Sequence, residues 1–216
     1  MSGHGCKSPV TARRRPPGAS NVAAVELARI DIGGDPEAWA ALGFSVESDQ
    51  IALGNGALVF VDGPPAVHAV TTGEPPAPAE HPNGALHLDH VVYVTPSLEA
   101  ASAEITETYG LPQRRIREVG EGDAAVRQAF HRFPAPAPPG HGPGCIVEIV
   151  QSARTQGRPG WFGLVVVVAD LVELCAELGP ELIGTPKAAV QPGRQIATVR
   201  RSAGLGFPVA LMTPDP

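Results

Sequence analysis

Cysteine is scarce in this chain: Cys6, Cys145 and Cys175 lie far apart in 216 residues, with no Cys-x-x-Cys pair. That spacing argues against a disulfide framework and a cysteine-held zinc site, and suits a reducing compartment. Aromatic residues make up only 5%, with Trp39 and Trp161 the two tryptophans, which leaves little for a platform that stacks bases or sugars. No run approaches the roughly 18 consecutive apolar residues of a membrane span. Glu26 and Arg29 interrupt the stretch after the arginine run, so no secretory h-region follows it. The expected setting is cytoplasmic, without a membrane partner. A net charge of −6 gives no electrostatic reason to expect nucleic acid, which needs a concentrated basic surface. The one basic run, Arg13-Arg14-Arg15, precedes Pro16-Pro17-Gly18 and reads as a solvated cluster. A G-x-S-x-G elbow and a glycine-rich phosphate loop opening a helix are both missing, so hydrolase and nucleotide-binding readings lack support.

Glycine and proline, by contrast, are plentiful at 25 and 24 residues, and they punctuate the chain into units. Residues 1–21 mix Gly, Pro, Ser and Arg without periodicity and read as a disordered tail. A short N-terminal unit, 22–72, opens with the strand-like run VAAVELARIDI. Asp35 and Pro36 then open a short helix through Trp39 to Leu42. SVESDQIAL and ALVFVDG follow, joined by the turn signal Gly54-Asn55-Gly56. A proline-rich linker covers 73–84.

Beyond the linker the chain writes one structural pattern twice, over 85–152 and 158–214. The first copy reads HVVYVTPSLEAASAEITETYGLP, RQAFHRF and CIVEIVQ; the second reads GLVVVVADLVELCAELGPELIGTP, RQIATVRR and PVALMTP. Thr95 or Ser97 can cap a helix from about Pro96 to Tyr109, ended by Gly110. Asp170 caps a second helix with Leu171, Leu174, Cys175 and Leu178 on one face. Each unit is strand, helix, then three strands, which gives an α+β class of repeated βαβββ modules. Superposed, Gly110 meets Gly184, Pro112 meets Pro186, and Arg127-Gln128 meets Arg194-Gln195. His90 falls opposite Gly163, and Glu148 opposite Ala210.

The asymmetry carries the chemistry. Strand alternation puts Leu88, His90 and Val92 on one face and Asp89, Val91 and Tyr93 on the other. Glu148 shares its face with Ile146 and Val150, and the opposite face of that strand is apolar too. A lone buried carboxylate costs several kcal/mol or more unless paired, protonated or metal-bound. A hydrogen-bonded His90/Glu148 pair without metal meets that need. A bridging divalent ion meets it too, and a carboxylate with an imidazole suits Zn, Fe, Mn or Ni. Such an ion would be a Lewis acid toward a carbonyl, and Glu148 is also a candidate base. His131 is a candidate third ligand or a group at the pocket rim. Arg127, Gln128 and Arg194 are candidates for recognising an oxygen-rich ligand, or for structural hydrogen bonds.

The strings LDHVVYVT, RQAFHRF, CIVEIVQ and QPGRQIATVRR resemble the vicinal oxygen chelate superfamily, and within it the glyoxalase-like proteins (glyoxalase, bleomycin resistance, dioxygenase). The likeness covers 86–214 well and 22–72 loosely. It implies that paired modules, with mixed and antiparallel sheets, curl into a cup that holds a small oxygen-bearing molecule. It further implies metal ligands at His90 and Glu148, with half of the usual shell missing at Gly163 and Ala210, and lyase, isomerase or dioxygenase chemistry. Two other functions stay open: a metal-free binding or drug-sequestering protein, and a non-catalytic interaction module, with a homodimer among the assemblies expected.

Overall fold

The structure is a computed structural model that describes residues 25–136, 142–152, 157 and 159–216. The tail expected over 1–21, with its arginine run and Cys6, lies outside the described residues. So does the centre of the proline-rich loop that follows Phe133.

The first repeat is β5 (Ala85–Val94), α2 (Leu98–Tyr109), β6 (Arg115–Val119), β7 (Val126–Arg132) and β8 (Ile146–Ser152). The second is β9 (Gly160–Val168), α3 (Leu171–Leu178), β10 (Lys187–Ala188), β11 (Gln195–Thr198) and β12 (Val209–Met212). Local chemistry sets the helix ends. Ser97 Oγ accepts from Ala100 N, and Gly110 ends α2 at φ 68°, a left-handed conformation that glycine adopts without a Cβ penalty. Asp170 Oδ1 accepts from Glu173 N at 2.9 Å and opens α3. In α2 the buried residues Leu98, Ala101, Ser102 and Ile105 recur at three- and four-residue spacing, so one stripe meets the sheet.

All eight strands form one mixed sheet in the order β10-β11-β12-β9-β5-β8-β7-β6. Within each repeat the first and last strands run parallel, β5 with β8 and β9 with β12, and β5 joins β9 antiparallel at the centre. The pairings make the duplication explicit. His90 lies opposite Val165, and Gly163 opposite Val92, which is the same pairing seen from each copy. Both modules belong to one chain and share this one open sheet.

Register also corrects the superposition drawn from the sequence. Gln128 pairs Val150 on β8, while Ile196 pairs Met212 on β12. Counting from Glu148 and Ala210, the counterpart of Gln128 is Ile196 rather than Gln195. Arg127 and Arg194 are therefore out of step by one residue, and a one-residue step turns a strand side chain to the opposite face.

The N-terminal strands are β1 (Leu27–Gly33), β2 (Gln50–Leu53), β3 (Gly56–Phe60) and β4 (Ala66–Thr72), with α1 (Pro36–Ala40) after β1. Their sheet order, β2-β3-β1-β4, departs from the repeats. Here the penultimate strand β3 runs parallel to β1, and β4 pairs antiparallel along the other edge of β1, the place that β9 takes beside β5. Trp39, wholly buried, contacts Phe44, Phe60 and Phe207, so one apolar core runs from this sheet into the last repeat.

Candidate functional site

The ends of the eight-stranded sheet face each other across a cavity of about 430 Å³. His90 on β5, Glu148 on β8 and Gln128 on β7 line one side, with Arg115 and Arg117 from β6. Lys187, Ile196 and Met212 from β10, β11 and β12 line the other. This is the cup, and alternation selects its surface. On β8, Val147 and Ile149 are wholly buried toward α2, whereas Ile146, Glu148 and Val150 are half-buried on the cavity side.

His90 and Glu148 are brought together: Nε2 stands 3.5 Å from Glu148 Oε2. The Gln128 amide donates to Glu148 Oε1 and fixes the carboxylate from the neighbouring strand. The other ring nitrogen has a partner that strand alternation hides. Between Leu88 and His90 the register of β5 against β9 shifts by one, so Asp89 is an extra, bulged residue. Bulges re-aim side chains, and Asp89 Oδ1 lies 2.7 Å from His90 Nδ1 instead of facing away.

Asp89 continues into a clamp. Arg194 Nη1 donates to Asp89 Oδ2 at 2.6 Å, and Arg194 Nε donates to the Thr213 carbonyl at 2.8 Å. Asp215 stands 3.2 Å from the same guanidinium. Burial pushes the Asp89 carboxyl up, but the hydrogen bonds and charges of His90 and Arg194 together outweigh it and hold it down to about 2. An ionised carboxylate only accepts, so His90 carries its proton on Nδ1 and turns Nε2 toward Glu148. Arg194, Asp89 and His90 are thus hydrogen-bonded in series, as are Gln128 and Glu148, and the two runs meet at the 3.5 Å approach of Nε2 to Oε2.

The bulge is supported from outside the repeats. Leu88 has no partner on β8, whose pairing begins at His90 with Ile146. Asn55, from the Gly54-Asn55-Gly56 turn, takes that place: its Oδ1 accepts from Leu88 N at 2.8 Å, and its Nδ2 donates to Leu88 O at 2.8 Å and Pro143 O at 2.7 Å. Gly54 N donates to Leu86 O alongside. One buried amide thereby imitates a peptide of a missing strand, which satisfies groups that would be costly to leave unpaired.

Two residues singled out in the sequence lie elsewhere. His131 is not at a rim: it is fully buried, with Nε2 2.9 Å from Ser102 Oγ and Nδ1 2.8 Å from the Leu111 carbonyl. β7 is covered by β6 and α2, so this histidine ties the helix to the sheet. Burial pushes its pKa down, against the opposing bond to Leu111. Arg127 also faces α2, where it pairs with Glu99 at 2.7 Å and Glu118 at 2.9 Å and donates to Gln151. Asp89, Asn55, Arg115, Arg117 and Lys187 do not stand out as site residues in the sequence. Only Arg115 and Arg117 left a signal, as cations two apart on a strand.

A divalent ion here would have two side-chain donors, His90 Nε2 and Glu148 Oε2. Asp89 is engaged at the other face of the imidazole, and no metal-holding group of three or more His, Cys, Asp or Glu stands together among the described residues. The counterpart positions cannot complete a shell. Ala210 has no donor, and a Cβ on Gly163 would stand 2.3 Å from the Pro208 carbonyl oxygen. Catalytic zinc sites use about three protein ligands, so the donor set does not fit an ion held by the protein alone.

No protein-family model matches the chain, and no curated protein matches it in sequence. Solved structures similar to it include a methylmalonyl-CoA epimerase at 20% identity, covering 60% of this chain and 95% of that one, with a TM-score of 0.46. A variant of the Streptomyces coelicolor methylmalonyl-CoA epimerase, in complex with 2-nitronate-propionyl-CoA, is 18% identical over 60% of this chain and 97% of its own, at a TM-score of 0.47. The Mycobacterium tuberculosis methylmalonyl-CoA epimerase is 18% identical over 62% and 91%, at 0.46. Identities and TM-scores at this level bring neither ligand nor activity to this chain, whose chemistry rests on its own residues.

Proposed function

We propose that the cup binds a small oxygen-bearing molecule, and that His90 and Glu148 move a proton to and from it without a resident metal ion. The carrying observation is that His90, held from behind by Asp89 and Arg194, stands 3.5 Å from the Glu148 carboxylate that Gln128 holds. Asp89 fixes the tautomer and orientation of His90, and Gln128 fixes the Glu148 carboxylate, which is the support a general acid–base pair needs. Proton removal beside a carbonyl, of the isomerase or lyase type, suits two such groups facing one cavity. A second reading keeps the cup as a binding or sequestering site without turnover, favoured by the same closed donor set.

The two are separated by a panel of small dicarbonyl, catechol and polyketide-like compounds, read by thermal shift and by exchange of ligand C–H for deuterium. Binding and exchange are expected in the presence of chelator. Glu148→Gln should keep binding and slow exchange by about 10²–10⁴-fold, the range of general acid–base contributions. Binding with exchange unchanged by that substitution removes the catalytic reading and leaves the sequestering one. A silent panel removes both, and loss of exchange on chelation would return the metal.

A further inference from the structure

Beside the cup lies a second cavity of about 410 Å³, and Arg115, Phe130 and Gln191 line both. β6 is the edge strand of the sheet here. Pairing sets Arg115 opposite Phe130 and Arg117 opposite Gln128, so both arginines share the cup face of the sheet. The Arg115 guanidinium stands 4.5 Å from the Phe130 ring centroid, a cation–π contact that holds it in the wall between the two spaces. Arg114 and Arg132 reach the second cavity.

Charge here runs against the rest of the molecule. Across the two linings Arg114, Arg115, Arg117, Arg132, Arg194 and Lys187 stand against Asp89, Glu148 and Asp215, in a chain of net charge −6. Asp89 and Asp215 both lie on Arg194. The other five cations form no ion pair among the described residues, whereas Arg29 and Arg127 are taken up by carboxylates. Gathering unpaired cations in one cleft costs mutual repulsion and raises the local concentration of anions. A planar guanidinium recognises phosphate or carboxylate through paired N–H donors.

We infer that the second cavity holds an oxyanion group, phosphate or carboxylate, carried by the same small molecule whose other end meets His90 and Glu148. This rests on the cup being a ligand site, and it names the ligand class: an anionic metabolite long enough to pass the Arg115–Phe130 wall. Nucleic acid is a poorer match, because the cations gather at one cleft of a chain of net charge −6 rather than along an extended basic stripe.

The test is calorimetric titration of the full chain with pyrophosphate and with succinate, at matched ionic strength because salt screens such contacts. One of the two should bind, and which one assigns the group as phosphate or carboxylate. Arg114 and Arg132 are exposed and unpaired among the described residues, so Arg114→Ser/Arg132→Ser should fold and lose about tenfold or more in affinity, as for lost charge-assisted bonds. Arg200→Ser/Arg201→Ser removes equal charge outside the cup and should leave affinity within about twofold. His90→Ala should retain binding, so this inference stands or falls apart from the proton-transfer reading. Failure of the wild-type protein to bind either anion overturns it, as does an equal loss in the two double variants or no loss in the first.

Discussion

The two repeats share one register yet do different work. Where β5 carries His90, β9 carries Gly163 with the Pro208 carbonyl against it, and where β8 carries Glu148, β12 carries Ala210. The second copy is not a damaged site. Its strand Leu164–Val168 is buried throughout, and it supplies Lys187, Ile196 and Met212 as the far wall of the cup and Arg194 as the clamp on Asp89. One repeat holds the His90/Glu148 pair, and the other walls the cup and clamps Asp89 behind His90. The comparison teaches that a duplicated fold need not duplicate its chemistry, because the central β5–β9 seam lets one module reach the floor of the other.

Removing that reach should give the largest effect. The side chains of Arg194 and Asp89 are 4% and 8% exposed, so Arg194→Met leaves a buried carboxylate with His90 alone. Breaking a buried pair from one side costs about 3–5 kcal/mol, and the urea midpoint should fall accordingly. The acid limb gives an independent check. Asp89 is held near 2 in the fold, below about 3.9 when unfolded, so its contribution is full above the unfolded value. It is lost as pH falls from about 4 toward 2. Wild-type stability should fall across that window, and the window should narrow in Arg194→Met. Equal midpoints for the two proteins would mean that the repeats are not coupled through this clamp.

The repeat was legible because helix caps and strand runs are local: Ser97, Gly110 and Asp170 announce their helices, and His90 and Glu148 stand out as charges in apolar strands. What stayed hidden depends on register. A bulge adds one residue to β5 without a sequence marker, and it brought Asp89 to His90 when alternation placed them apart. The Arg-Gln pair invited an alignment of Arg127 with Arg194 that strand pairing shifts by one. Asn55 read as a turn residue, which it is, and nothing local showed that its amide replaces a strand 33 positions away.

Asn55 offers the next effect. Asn55→Ala leaves the backbone N–H and C=O of Leu88 buried without these partners, at a cost of about 1–3 kcal/mol. The loss should be accompanied by weaker binding in the cup, because the bulge that aims Asp89 is released. Asn55→Ala with reduced stability but unchanged ligand affinity would show that the N-terminal sheet steadies the repeat without shaping its site.

The smallest effect belongs to the arginine that looked equivalent. Arg127 makes its ion pairs with Glu99 and Glu118, whose side chains are 65% and 66% exposed, and exposed pairs contribute little in water. Arg127→Met should move the urea midpoint by no more than the scatter of repeat measurements, and should leave ligand binding and proton exchange as they are. Set beside Arg194→Met, it isolates the one-residue step between the two repeats: the same residue type, at the matching strand in one and just before it in the other, facing α2 in the first and Asp89 in the second. A fall in the urea midpoint of Arg127→Met comparable to that of Arg194→Met would restore the equivalence of the two arginines.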